Sequence, residues 1–416
     1  MHGEATVGPI GDDARVSVWD GLVGQEVAVA RLREAAVAAR ALAGGAAQGA
    51  GTASMTSAWL ITGPPGSGRS VAARAFAAAL QCSDPDEPGC GRCNGCVTTL
   101  NGSNADVVVV RPEGLSISIK EARALVMQAA LAPVSSPWRV VLIEDADRLV
   151  RGTDERNAMV LLKSLEEPAP QTVYLLCAPS QADLPATVRS RARLLGLLTP
   201  SPEAIAAVLR SEGVDDATAS FAAAAAQGHV GRARRLARDE SARARRAEVL
   251  RLPSQLDDPS GCLMAASALV KASQADATAL TTERDDRERE DLERQLGLDA
   301  DIGPKRGAAA RSAGAAIREL ERQQKSRATR AQRDALDGAL VDLAGLYRDV
   351  LVMQLGAPSA PAHADQRAEI GRLMSESTPE RTLRRLEAVL ATRQQLLDSP
   401  GLAALLAIES LALQLR

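Results

Sequence analysis

Short apolar runs alternate with helically patterned stretches across the first half of the chain. The runs fall at 59–62 (Trp-Leu-Ile-Thr), 106–110 (Asp and four valines), 138–143, 173–177 and 194–198. Uninterrupted runs of this length predict strands buried on both faces. Between them, 71–80, 117–131 and 157–167 carry apolar residues at helical spacing, and Pro168 and Pro170 stop the last. This alternation predicts an α/β domain on a parallel sheet covered on both sides. A helix with Val29, Leu32 and Ala36 on its apolar side is predicted ahead of it, joined through the low-complexity Ala/Gly/Ser stretch 43–57. Residues 1–17 are polar and Gly-rich, predicting a disordered tail.

At Pro200 the pattern changes. Helical signals recur at 204–209, 217–226 and 231–237, strand signals cease, and a small helical domain is predicted. Residues 281–295 form a dense mixed-charge run, expected to be a solvated helix or a disordered loop, with a break at 302–306. Beyond 315 the chain reads as long helices. Leu336, Leu340, Leu343, Leu346, Val350 and Leu351 make one apolar stripe; Leu383, Leu386, Val389, Leu390 and Leu397 make another. Such stripes fit a self-contained bundle or an oligomerisation surface equally well.

Composition sharpens this. The 416 residues suffice for about three domains. Apolar residues make 46% but aromatics only 2%, so the cores must be Ala, Leu and Val, which favours helix. A net charge of −3 gives no case for a whole-surface nucleic-acid binder and leaves room for a local basic patch. The most apolar window, 402–415, is too short for a membrane helix and contains Glu409. With no signal-peptide pattern, a cytoplasmic location is expected.

The turn after the first run reads Gly63-Pro64-Pro65-Gly66-Ser67-Gly68-Arg69-Ser70, one residue away from the phosphate-binding pattern Gly-x4-Gly-Lys-Ser/Thr. The glycines permit backbone angles that turn successive N–H groups toward an anion. The helix behind adds its positive end, and Ser70 would offer a hydroxyl to magnesium. Arg69 stands where lysine is expected, and a planar fork is no substitute for a compact ammonium. The bland alternative is a Gly/Pro-rich turn. The strand 138–143 ends in Glu144-Asp145, a carboxylate pair of the kind that holds magnesium and positions water. The order is reversed from Asp-Glu, so Glu144 is one carbon too long and Asp145 one too short.

Cys82, Cys90, Cys93 and Cys96 follow the loop helix with spacing Cys-x7-Cys-x2-Cys-x2-Cys, Gly89, Gly91 and Gly95 making the turns. Four thiolates suit a closed structural zinc site, with an iron–sulfur cluster or free thiols as alternatives. Cys177 and Cys262 stand alone and are expected to be small buried residues. Arg191 precedes the last predicted strand. It could reach a neighbour's site as a trans arginine finger, a group able to contribute ~10³ to 10⁵ in rate. An ordinary surface arginine beside Arg189 and Arg193 is the competing reading.

Taken together, Val-Gly-Gln-Glu at 23–26, Gly-Pro-Pro-Gly-Ser-Gly at 63–68 and the cysteine module resemble the bacterial clamp-loader branch of the AAA+ ATPases. So do Asn157-Ala158, Leu-Leu-Lys-Ser-Leu-Glu-Glu-Pro at 161–168 and Leu-Pro-Ala-Thr at 184–187 leading to Ser190-Arg191. The resemblance is strong over 18–236 and looser beyond. It implies an AAA+ P-loop parallel sheet over 18–199 with a zinc module at 82–96. A helical lid at 200–245 and a C-terminal helical collar at 246–416 would follow, the collar with a charged insertion at about 272–314. Departures from the motor subunits of that family are Arg69, the order of Glu144 and Asp145, Cys177-Ala178-Pro179-Ser180 in the sensor segment, and Gly231 at the lid's sensor arginine. The Ser-Arg-Cys motif appears as Ser190-Arg191-Ala192. The resemblance therefore implies a stator subunit of the polymerase holoenzyme, with weak or non-hydrolytic ATP/magnesium binding. It would give Arg191 to an adjacent motor subunit in a five-membered ring, with a delta subunit, the sliding clamp and primed DNA as further partners. An active AAA+ motor and a zinc-dependent nucleic-acid-binding module are the other two readings.

Overall fold

The computed structural model describes residues 17–47, 49–112, 117, 119–149, 156–296, 308–358, 361–399 and 401–416. The expected tail before Ser17 and the break at 302–306 lie outside them. Two compact units are formed, the first ending at Ala237 and the second beginning at Arg238. Among the described residues no helix is long and apolar enough to cross a membrane.

In the first unit the elements run α1 (Glu26–Ala43), β1 (Ala58–Thr62), α2 (Arg69–Leu80), α3 (Asn94–Leu100), β2 (Val107–Val110), α4 (Ile119–Ala129), β3 (Arg139–Ile143), α5 (Arg156–Glu166), β4 (Thr172–Ala178), α6 (Ala186–Arg189) and β5 (Arg193–Gly196). Three helices follow, α7 (Pro202–Ser211), α8 (Asp216–Ala225) and α9 (Val230–Arg238). The five strands make one parallel sheet in the order β2-β3-β4-β1-β5. Alternate strand residues sort into two core layers, as a two-residue repeat demands. Trp59, Ile61, Val140, Leu142, Val173 and Leu175 pack with α1 and α2. Leu60, Val141, Ile143, Tyr174 and Leu176 pack with Leu125 of α4 and Leu161 and Leu165 of α5. Helix α2 presents mostly alanine to the sheet, with Phe76 edge-on to Trp59 at 5.3 Å.

Two strands differ from expectation. β1, β3 and β4 are buried along their length, but β2 is half-buried throughout and β5 buries only Leu195. Both are edges, with a neighbour on one side only. An apolar run reports the environment above and below the sheet and is silent about a missing lateral neighbour.

The second unit comprises α10 (Glu240–Leu250), α11 (Pro259–Leu296), α12 (Ala308–Gln354), α13 (Arg367–Glu376), α14 (Pro379–Asp398) and α15 (Ala404–Leu415). The first expected stripe is its core, Leu351 apart: Leu336, Leu340, Leu343, Leu346 and Val350 of α12 are all fully buried, and Leu351 is half-buried. The second stripe is corrected. Val389 is fully buried as expected and Leu386 and Leu397 are half-buried, but Leu383 and Leu390 are exposed, and α14 buries Thr382, Thr392 and Leu396 in their place. Hydrophobicity alone selects the leucines; the core accepts Thr382 because its hydroxyl bonds Ser377 Oγ at 3.2 Å. The mixed-charge run 281–295 is helical. It pairs with α12 through a polar seam in which Arg327 meets Asp285 at 3.2 Å and Glu288 at 2.7 Å, and Gln324 donates to the Asp285 carbonyl at 2.8 Å.

Candidate phosphate-loop site and metal centre

The loop leaves the carboxyl end of β1 and enters α2 through Gly66 and Gly68, at φ +84° and +95°. These left-handed angles let the chain fold its N–H groups inward. Gly63 is needed for closeness instead: a Cβ there would lie 2.5 Å from Ser67 Oγ. Gln25, from the 23–26 segment, fixes the loop from outside. Its amide donates to the Leu198 carbonyl at 2.7 Å and the Ser67 carbonyl at 3.4 Å, and accepts from Leu198 N–H at 3.0 Å. His229, just before α9, covers the loop, for a Cβ at Gly66 would come within 2.3 Å of its ring.

The charged groups are brought together at this sheet end, as the sequence predicts, but they are satisfied by one another. Arg69 donates to the loop's own Gly63 carbonyl at 2.6 Å and lies 4.0 Å from Asp145. Arg148 also meets Asp145, at 3.4 Å. Glu144 accepts from Arg74 at 2.7 Å and from Arg111 at 3.3 Å. Ser70 sits half-buried in the first turn of α2, and Pro64 and Pro65 are exposed. Cys177 is buried under the site, and burial pushes its thiol up to about 12. Asp145 adopts φ +52°, turning the chain out of β3. A magnesium ion takes one or two carboxylate oxygens into an octahedral shell, and here Arg74 and Arg111 share Glu144 Oε1 while Arg69 and Arg148 sit beside Asp145. With both carboxylates held by guanidiniums, the residues present do not fit the metal. Arg74, Arg111, Arg148 and His229 are the participants that sequence reasoning missed. A lone signal was available, Arg74 lying little more than a turn beyond Arg69 on the same helix.

The four cysteines converge as expected. Their sulfurs lie within 4.8 Å of one another, with Cys82 3.7 Å from Cys90 and 3.8 Å from Cys93. A tetrahedral ion at ~2.3 Å from each sulfur requires sulfurs about 3.8 Å apart. The set therefore could hold one metal ion, and it is too tight to enclose a multi-iron core. Cys93 caps α3, its sulfur accepting from Cys96 N–H at 3.5 Å. Burial opposes the Cys93 thiolate, but the N–H groups of Cys96 and Ser83 hold its thiol down at about 6. Burial drives the Cys96 and Cys90 thiols upward. Gly89 and Gly91 do turn the chain, but Gly95 does not. It lies inside α3, where a Cβ would fall 1.9 Å from the Gln81 carbonyl at the end of α2, so glycine lets two helices meet.

Arg191 stands apart from these groups. β1 and β5 are parallel, with Trp59 beside Arg193 and Thr62 beside Gly196. The loop begins after Thr62, whereas Arg191 precedes Arg193. The two lie at opposite ends of the sheet, separated by about 13 Å of strand. Arg193 is taken up structurally, stacked over Trp59 at 5.5 Å and donating to the carbonyls of Ala53 and Ser54.

A parallel sheet of this order, with a phosphate-type loop after its β1 strand and paired carboxylates after β3, defines the P-loop AAA+ class. Residues 46–201 match the family described as "DNA polymerase III, delta subunit", and 330–416 match "DNA polymerase III, delta subunit, C terminal". The chain belongs to the clamp-loader family of DNA polymerase III subunits. It is 35% identical over 144 residues to DNA polymerase III subunit delta' of Pseudomonas aeruginosa, a match covering 34% of this chain and 43% of that one. It is 33% identical over 136 residues to subunit tau of Bacillus subtilis, covering 32% of this chain and 23% of the relative. The chain thus spans less than half the length of these relatives. A gamma subunit-related protein from Thermotoga maritima superimposes loosely, with a TM-score of 0.34 and 16% identity, over 86% of this chain and 95% of that one.

Proposed function

We propose that this chain is a delta-prime-type clamp-loader subunit, a stator in a hetero-oligomeric ring that opens the sliding clamp and closes it on primed DNA. In this reading Arg191 serves the ATP site of an adjacent motor subunit. The observation that supports it is the position of Arg191 at the sheet end remote from this chain's own loop, out of reach of that loop. The internal pairing of Arg69, Glu144 and Asp145 supports a loop that holds no magnesium and performs no hydrolysis. The domain plan is 18–199 for the AAA+ body, 200–245 for the lid and 246–416 for the collar. A delta subunit and motor subunits are its ring partners, and the setting is cytoplasmic. One structural zinc ion is held by Cys82, Cys90, Cys93 and Cys96, tying the segment after α2 to α3.

The test is ATP turnover in a reconstituted ring carrying Arg191→Ala in this chain alone. Turnover and clamp loading are expected to fall by at least about a hundredfold at the affected site while the ring stays assembled. If Arg191→Ala changes nothing and Arg69→Ala lowers turnover, the chain is an active motor.

A further inference from the structure

Arg191 does not project freely from the rim. Its guanidinium pairs with the Glu166 carboxylate, and one Nη donates to the Thr187 carbonyl at 2.6 Å and to Ser190 Oγ at 3.2 Å. The side chain is 33% exposed and that of Glu166 46%. Glu166 is the last residue of α5, and Glu167 follows it. Two carboxylates thus occupy the negative end of a helix, where the macrodipole disfavours anions and welcomes a cation. Arg191 supplies that cation.

We infer that Glu166 is a positioning residue that parks the Arg191 guanidinium on its own chain, so that a neighbour's nucleotide must displace this carboxylate before Arg191 can act in trans. The inference rests on the finger reading above and adds its regulation. Two anions compete for one guanidinium. The terminal phosphate carries more charge than a carboxylate and more oxygens that can accept the fork. The exchange therefore runs toward phosphate when a loaded neighbour closes, and back when the phosphate leaves. Because the resident pair is partly exposed, it holds weakly enough to be reversible. The helix bearing Glu166 also packs under the sheet through Leu161 and Leu165, which fixes the carboxylate in place.

Two measurements separate this restraint from the finger reading. In the isolated chain, phenylglyoxal modification of Arg191 is followed by peptide mass spectrometry. Glu166→Gln is expected to speed it about two- to fivefold, the factor an exposed ion pair sets, with Arg193 unchanged. An unchanged Arg191 rate overturns the restraint whatever the ring does. In the reconstituted loader, Glu166→Gln is expected to raise ATP turnover without DNA by a similar factor, and adding Arg191→Ala is expected to erase the gain. Turnover that falls to the level of Arg191→Ala alone overturns the inference, since Glu166 would then build the active position. Failure of the finger reading appears separately, as an Arg191→Ala ring that turns over like wild type.

Discussion

Arg69 turns its guanidinium back onto the Gly63 carbonyl. The substitution of arginine for lysine is visible in the sequence; where the fork goes is not. Nor are the partners of Glu144, because Arg74 and Arg111 are 70 and 33 residues away along the chain. Residue types were legible here, but their pairing depends on the sheet order that brings β2, β3 and α2 together. Arg69→Lys is therefore expected to leave the isolated chain without turnover and to raise MgATP affinity less than tenfold, read by calorimetry, since Arg74 and Arg111 still hold Glu144. Gly95 makes the converse case. Its role came from closeness to α2, which no local pattern encodes. Gly95→Ala should destabilise the first unit by about 1–3 kcal/mol, seen in its thermal unfolding, because backbone must shift to admit the methyl group.

A third residue-scale consequence concerns pH. Asp349 is fully buried, with the backbone N–H and ring Nδ1 of His363 both 2.8 Å from one carboxylate oxygen. Burial pushes its carboxyl up, but these bonds prevail and hold it below its ordinary 3.8. A depressed carboxyl contributes stability that is complete above its unfolded pKa, about 3.9, and is lost as pH falls through the folded value. Acid titration of the second unit should therefore show a loss of stability below about pH 4. Asp349→Ala should remove that limb and cost about 1–3 kcal/mol at neutral pH, since it leaves the buried backbone N–H of His363 without its acceptor.

Among the elements, strand and helix positions in the first unit were legible because their periodicities are distinct and their breakers strong. Position within the sheet was not: β2 reads like a central strand and lies at an edge. α14 shows the same limit for a helix. Its leucines at 383 and 390 face solvent while threonines at 382 and 392 are buried. Leu390→Glu should then change thermal stability by less than about 0.5 kcal/mol, whereas Val389→Asp, one position away, should cost several times more. Equal effects would mean that the helix is rotated from the face described. The charged half of α11 illustrates a different ambiguity. Its sequence suits a solvated helix or a loop, and the partner that decides between them, Arg327, lies 39 residues on from Glu288.

For the molecule as a whole, the cysteine module is the feature that joins distant segments. Beyond its four sulfurs, Trp19 donates to the Pro88 carbonyl at 3.1 Å, and Val18 N–H to Gly89 at 2.9 Å, so the segment before α1 is fastened to it. Removing metal with a chelator should consequently lower the unfolding temperature of the first unit by more than about 5 °C and leave the second transition unmoved. Native mass spectrometry should find one zinc per chain; a chain that retains none at neutral pH would refute the assignment.

Helix α2 carries the last consequence. Apart from Phe76 and Leu80, its buried residues are Ala72, Ala73, Ala75, Ala77, Ala78 and Ala79, which bring backbone within a methyl group of neighbouring elements. Such a surface has no room to grow, since even one added methylene would strain it. The outer face of the loop in front of it is under less constraint: Pro64 and Pro65 are exposed, and Arg69 finds its partner in a backbone carbonyl. The segment is thus divided into a part that can change its chemistry freely and a part that cannot change its volume. A phosphate loop can fall silent in such a chain and still remain the keystone of the sheet, because its architectural duty is discharged by alanines that never touched the phosphate.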